Sequence, residues 1–173
     1  MIAKRDKKAK VLLFVLTSVL LAISLLSCDQ NADQSAQGAS EYPRLLMTSE
    51  SVQDIRNSLG KAPLFDRTLA GVIAEIDAIL DDPIEVPVPR DMAGGYTHEQ
   101  HKGNFFALQK AGALYQITDD EKYAVFVRDV LMEYAKLVPT LGNHPNTPSY
   151  APGKLFWQCL NDANWLVYTS QAY

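Results

Sequence analysis

Between residues 43 and 173 the apolar positions recur with a spacing of roughly 3.6 residues, and no run alternates strictly enough to read as a half-buried strand. Thr48 or Ser49 can cap a first helix in which Val52, Ile55 and Leu59 share a stripe and which Gly60 stops. A second helix begins by Pro63, carries Phe65, Leu69, Val72, Ile73, Ile76 and Leu80, and ends in the proline- and glycine-rich stretch DDPIEVPVPRDMAGGY. A third runs from about His98 to Ile117, with Phe105, Leu108, Gly112 and Tyr115 on or near one stripe. After the turn TDDEKY, a fourth reaches about Leu137 through Tyr123, Phe126, Val127, Val130, Leu131 and Tyr134. The connection VPTLGNHPNTPSYAPGK then leads into a fifth helical stretch, LFWQCLNDANWLVYTSQAY. The pattern predicts an all-α fold of helical hairpins, without the regular 34-residue period of a tetratricopeptide solenoid.

Connections alternate short with long. If successive helices pack antiparallel, the two long loops lie at one end of the array, together with the amino termini of the third and fifth helices. His98 and His101 then share that end with Trp157 and Gln158. Exposed N–H groups and aligned peptide dipoles at helix amino termini favour an anionic ligand there.

The first quarter of the chain has a different pattern. MIAKRDKKAK carries five basic side chains, and VLLFVLTSVLLAISLL after it carries no charge, which is the n-region and h-region of a signal peptide. The run ends in LLSCDQ, where Ser27 precedes Cys28 in a way that resembles a bacterial lipobox. Residues 1–27 are therefore expected to be a lipoprotein signal peptide, with a membrane anchor attached at Cys28 of an exported, periplasmic or cell-envelope protein. The other reading of the run is an uncleaved anchor in the same compartment. Residues 28–42, rich in Gln, Ala, Ser, Asn and Asp, read as a flexible tether.

Without residues 1–27 the chain keeps 11 of its 16 Lys and Arg against 19 of its 20 Asp and Glu. With no clustered basic face, nucleic acid is not an expected partner. Cys159, in an apolar stretch, reads as a small core residue and not as a nucleophile.

The short stretch GGYTHEQHKGN holds His98, Glu99 and His101. Zinc proteases place two histidines four apart on one helix face. Here they are three apart and supply at most two ligands, so no metal is expected. Thr97 and Gln100 have the spacing of a capping box. His98 then reads either as part of the helix start or, with Tyr96 and His101, as part of a cleft wall. His144 reads as a loop residue, and Asn161 and Asn164, one turn apart, can bond backbone or sugar.

Three segments, YPRLLMTSESVQDIR, GGYTHEQHKGNFFALQKAGALYQITDDEKYAVFVRDVLMEYAKL and PGKLFWQCLNDANWLVYTSQAY, together resemble the N-terminal part of the alginate lyase superfamily, most closely the oligoalginate lyases of polysaccharide lyase family seventeen. That resemblance implies an incomplete (α/α) toroid over residues 43–173, followed in the family by a β-rich domain, and β-eliminative cleavage of alginate, an anionic polyuronate, without a cofactor. Such chemistry needs donors that neutralise the uronate carboxylate, a base that takes the C5 proton and an acid for the departing oxygen. The resemblance places the catalytic Asn-His pair and tyrosines downstream of Tyr173, and matches Gln158 to a sugar-contacting glutamine in an FWQ motif. Tyr96, His98, His101 and Trp157 are the other candidate substrate contacts. A non-catalytic helical lipoprotein that binds a carbohydrate or a protein is the alternative.

Overall fold

Thr48 starts the first helix as the pattern predicts. Its hydroxyl accepts from the Ser51 N–H at 3.1 Å while the Ser51 hydroxyl accepts from the Thr48 N–H at 2.8 Å, a reciprocal capping box. The computed structural model describes residues 47–172; the expected signal peptide, Cys28 and the tether lie outside the described residues. Within them, all regular structure is helical: α1 (Ser49–Ser58), α2 (Pro63–Asp77), α3 (Tyr96–Thr118), α4 (Glu121–Leu137), a 3-10 turn (Val138–Thr140) and α5 (Cys159–Ala172). Among the described residues no helix is long and apolar enough to cross a membrane.

The core forms where the periodic stripes meet. Ile76 of α2, Phe105, Leu108, Ala111 and Leu114 of α3, and Tyr123, Val127, Val130 and Tyr134 of α4 are buried together, joined by Leu155 and Phe156 from the loop before α5. Each helix has its own fastening. Arg56 of α1 donates to the Gln116 carbonyl at the far end of α3, at 2.7 and 3.0 Å. Tyr123 of α4 donates to Asp77 of α2 at 2.9 Å, and Lys122 pairs with the same carboxylate at 3.0 Å.

The relation of α3 to α5 matters most for function. His98 meets Asn161, Phe105 stacks on Tyr168, Gln109 bonds Gln171, and the Gly112 backbone lies against that of Ala172. Partner numbers rise together, so the two helices run parallel, with their amino termini at one end. Asn146 in the second long loop donates to the Arg90 carbonyl in the first at 2.8 Å, which ties both long loops to each other.

Three expectations change. The fifth helix begins at Cys159, not at Leu155; Leu155–Gln158 form bends. Asp162, in the first turn of α5, accepts from the Lys154 and Phe156 N–H groups at 2.6 and 2.9 Å, and holds these residues back from the helix. Cys159 is exposed, because the later start turns it away from the core. Thr97 is not an N-cap either: Gly95 is, and it lacks a side chain to cap with. Asp91 takes that role from six residues away, accepting from both the Thr97 N–H and hydroxyl at 2.9 Å. Gln100 donates to Asn104 and plays no part in the cap.

Candidate functional site

At the shared amino-terminal end the side chains of His98, Glu99 and Asn161 form a chain of hydrogen bonds. Glu99 Oε1, a carboxylate oxygen and so an acceptor, takes bonds from the Gly94 N–H and from His98 Nδ1, each at 3.0 Å. His98 Nε2 is left to accept from the Asn161 amide at 3.1 Å. The Gly94 N–H, then Lys102 and His98, hold the Glu99 carboxyl below its ordinary range. The ring of His98 stands edge-on to Phe156, with centroids 5.0 Å apart.

His101 lies one turn deeper and is completely buried. Tyr134 links it to Asn104: the tyrosine hydroxyl accepts from the Asn104 amide at 3.1 Å and can then donate its own proton to His101 Nδ1 at 3.0 Å. This assigns the imidazole proton to Nε2. Burial lowers the His101 pKa to about 4, against a smaller opposite pull from the Pro87 carbonyl. Burial also pushes the Tyr134 hydroxyl up to about 12. His101 therefore presents no surface to a ligand in this conformation and packs against Tyr134 and Phe156.

The unfolded imidazole titrates near 6.5 and the folded one near 4, so the unfolded chain binds more protons between those values and stability falls as pH drops through that window. At about 1.4 kcal/mol per pKa unit, lowering pH from 7.5 to 5 is expected to cost about 2 kcal/mol through His101 alone. Urea denaturation at the two pH values checks this, and equal stabilities would remove the case for a buried neutral imidazole. His144, also lowered by burial, pulls in the same direction.

His144 lies in the second long loop, as the sequence reading has it, but is nearly fully buried. Its N–H donates to the Gly153 carbonyl at 2.8 Å and its Nδ1 accepts from the Asn146 N–H at 3.1 Å. Trp157 and Gln158 are half-buried and immediately precede α5. Trp157 Nε1 is buried without a hydrogen-bonded partner, and Gln158 uses its backbone carbonyl to accept from Asn161 and Asp162 at the start of α5. Tyr96, the first residue of α3, is 53% exposed, and the Glu85 carboxylate beside it raises its phenol above the ordinary value.

Among the described residues, clefts of two kinds open beside α3. The larger, about 770 Å³, lies between α2, the loop after it and α3, with Glu75, Asp82 and Glu85 against Lys110 in its lining. The smaller, about 290 Å³, lies between α3 and α5 and contains no carboxylate: His98, Lys102, Asn161 and Asn164 are its polar groups, over Phe105, Phe106, Phe156 and Tyr168. The larger cleft sets three carboxylates against one ammonium, which disfavours an acidic ligand, whereas the smaller presents Lys102 with its partner Glu99 just outside the lining. The helix ends do not supply the attraction that the sequence suggested. Asp91 already accepts from the Thr97 amide in the first turn of α3, Glu99 from Gly94 just before that helix, and Asp162 from Lys154 and Phe156 just before α5, so a carboxylate already stands at each amino terminus. Lys102 and Phe106 escaped the sequence reading because each sits outside the apolar stripe. Among the described residues no group of three His, Cys, Asp or Glu is arranged to hold a metal ion.

The class of protein these features define is an all-α array of hairpins with a polar and aromatic cleft between two parallel helices. No family model matches the chain. An exo-oligoalginate lyase of Saccharophagus degradans is 44% identical over 156 residues, which cover 90% of this chain and 21% of that protein. An alginate lyase of Stenotrophomonas maltophilia is 42% identical over 142 residues, covering 82% of this chain and 19% of its own length. The chain spans about a fifth of the length of these curated relatives, and over that part it is related to the alginate lyase superfamily.

Proposed function

We propose that these residues belong to a polysaccharide lyase acting on alginate by β-elimination, and form the helical wall of its substrate cleft within an (α/α) toroid. The observation that carries this reading is the 44% identity to an exo-oligoalginate lyase across 90% of the chain. The carboxylate-free cleft between α3 and α5 supports it, because alginate bears a carboxylate on every sugar. In this reading His98 faces the sugar, Gln158, Trp157 and Tyr96 flank it, and the proton-transferring groups come from elsewhere in the full protein. The basic and apolar runs ahead of Ser27 and Cys28 support export and acylation at Cys28.

The test is elimination itself. The full-length protein mixed with alginate oligomers is expected to generate the ultraviolet absorbance of a 4,5-unsaturated uronate, whereas residues 43–173 alone are expected to generate none. Turnover by residues 43–173 would move the proton-transferring groups into this segment, and a full-length protein inert on every polyuronate would end the lyase reading. Metabolic acyl labelling lost on Cys28→Ala checks the anchor, and label that persists rejects it.

A further inference from the structure

We propose that the cleft between α3 and α5 is a single-sugar subsite that reads the uronate carboxylate through Lys102, with Asn164 as hydrogen-bonding partner for a hydroxyl and the Phe106–Tyr168 pair as its apolar floor. The inference rests on the alginate reading above and adds to it the residues that select for charge. About 290 Å³ is near the lower limit of ligand pockets, and so suits one sugar ring instead of a length of chain.

Among the described residues Lys102 is the only lysine or arginine in the lining, and its side chain is 48% exposed. Its ammonium has three donors. One points to Glu99 Oε2 at 3.3 Å, an i,i+3 pair along the exposed face of α3 that restrains the lysine at the cleft mouth. The remaining donors are free to meet a ligand carboxylate. Glu99 is not part of the lining, and its other oxygen accepts from the Gly94 N–H and from His98, which holds the carboxylate outside the cleft.

Opposite Lys102, α5 presents Asn161 and Asn164. Asn161 is committed to His98, but the Asn164 side chain is exposed and makes no hydrogen bond among the described residues. An amide can both donate to and accept from a sugar hydroxyl. Phe106 meets Tyr168 edge to face, with centroids 5.0 Å apart, and Tyr168 is in turn stacked on Phe105 at 4.9 Å. That stacking fixes the aromatic surface against which the C–H face of a sugar can lie.

The experiment is calorimetric titration of the full-length protein with a uronate tetramer and with its methyl ester, which keeps the shape and loses the charge. Lys102→Met is expected to weaken binding of the acid about tenfold or more while leaving the ester unchanged, in keeping with a charge-assisted bond. Lys102→Arg should retain the acid. Asn164→Asp, isosteric and exposed, should also weaken the acid more than the ester. Wild-type binding of the acid that neither Lys102→Met nor Asn164→Asp alters would overturn the subsite and leave the lyase reading standing. A wild-type protein that binds no uronate oligomer would overturn that reading and the subsite with it.

Discussion

Phe156→Ala is expected to destabilise the protein by about 3–5 kcal/mol, as large-to-small changes of buried phenylalanines do. Phe156 is 1% exposed although it belongs to a loop, and its ring touches His98, His101 and Phe105, with centroids at 5.0, 5.9 and 6.3 Å. Removing it leaves a void between the two histidines and the start of α5. The loss should appear as a lower urea midpoint. It should also appear as weaker binding of a uronate oligomer under conditions where the variant is still folded, because His98 loses the edge that orients it. A variant with wild-type stability would mean that the loop collapses around the gap, and that Phe156 does not fix the site.

Gly153→Ala should also destabilise the protein, for the opposite reason. A Cβ at Gly153 would stand 2.1 Å from the Phe156 carbonyl oxygen and 2.9 Å from the Gln158 carbonyl carbon. Both are backbone atoms, so no side-chain rotation relieves the overlap. The glycine N–H also donates to Thr147 at 2.7 Å, and its carbonyl accepts from His144. Shifting it disturbs both the second long loop and the bend carrying Trp157 and Gln158. Overpacking usually costs about 1–3 kcal/mol, and more where the backbone itself must move. Thermal denaturation of Gly153→Ala beside Gly142→Ala, where nothing lies within 4 Å of the added carbon, separates crowding from a generic loss of glycine. Equal melting of the two would refute the close approach.

The helices were legible in the sequence wherever an apolar stripe coincided with local end signals. Thr48 and Pro63 both act within a few residues of the helices they begin. The start of α5 was not legible, because LFWQ continues an apolar run and its exclusion from the helix depends on Asp162 reaching backward from the first turn. The cap of α3 was misread for a related reason. Thr97 and Gln100 have the right spacing, but a carboxylate outside that window, Asp91, takes the amide.

The common location of His98 with the Trp157–Gln158 bend could be inferred from alternating loop lengths, since these dictate which helix ends coincide. The burial of His101 and His144 could not, because neither position says which neighbours will enclose it. Lys102 was equally hidden, an ordinary polar residue until α5 is laid beside α3, whereas Asn161 and Asn164 could be picked out by their one-turn spacing.

The parallel contact of α3 with α5 also makes the cleft conditional. One wall belongs to a helix locked into the core by α4, while the other belongs to α5, whose Leu160, Leu166 and Val167 are 65%, 60% and 51% exposed. Release of α5 as a unit would erase the cleft while the contacts among α2, α3 and α4 remained. Its amides should therefore exchange with solvent through smaller openings than those of α3. A ligand seated between the helices is bound only when both walls are present, so its affinity and the docking equilibrium of α5 are thermodynamically linked. Any substitution that loosens the Gly112–Ala172 contact lowers the fraction of molecules that can bind, even though it lies three helical turns from Lys102.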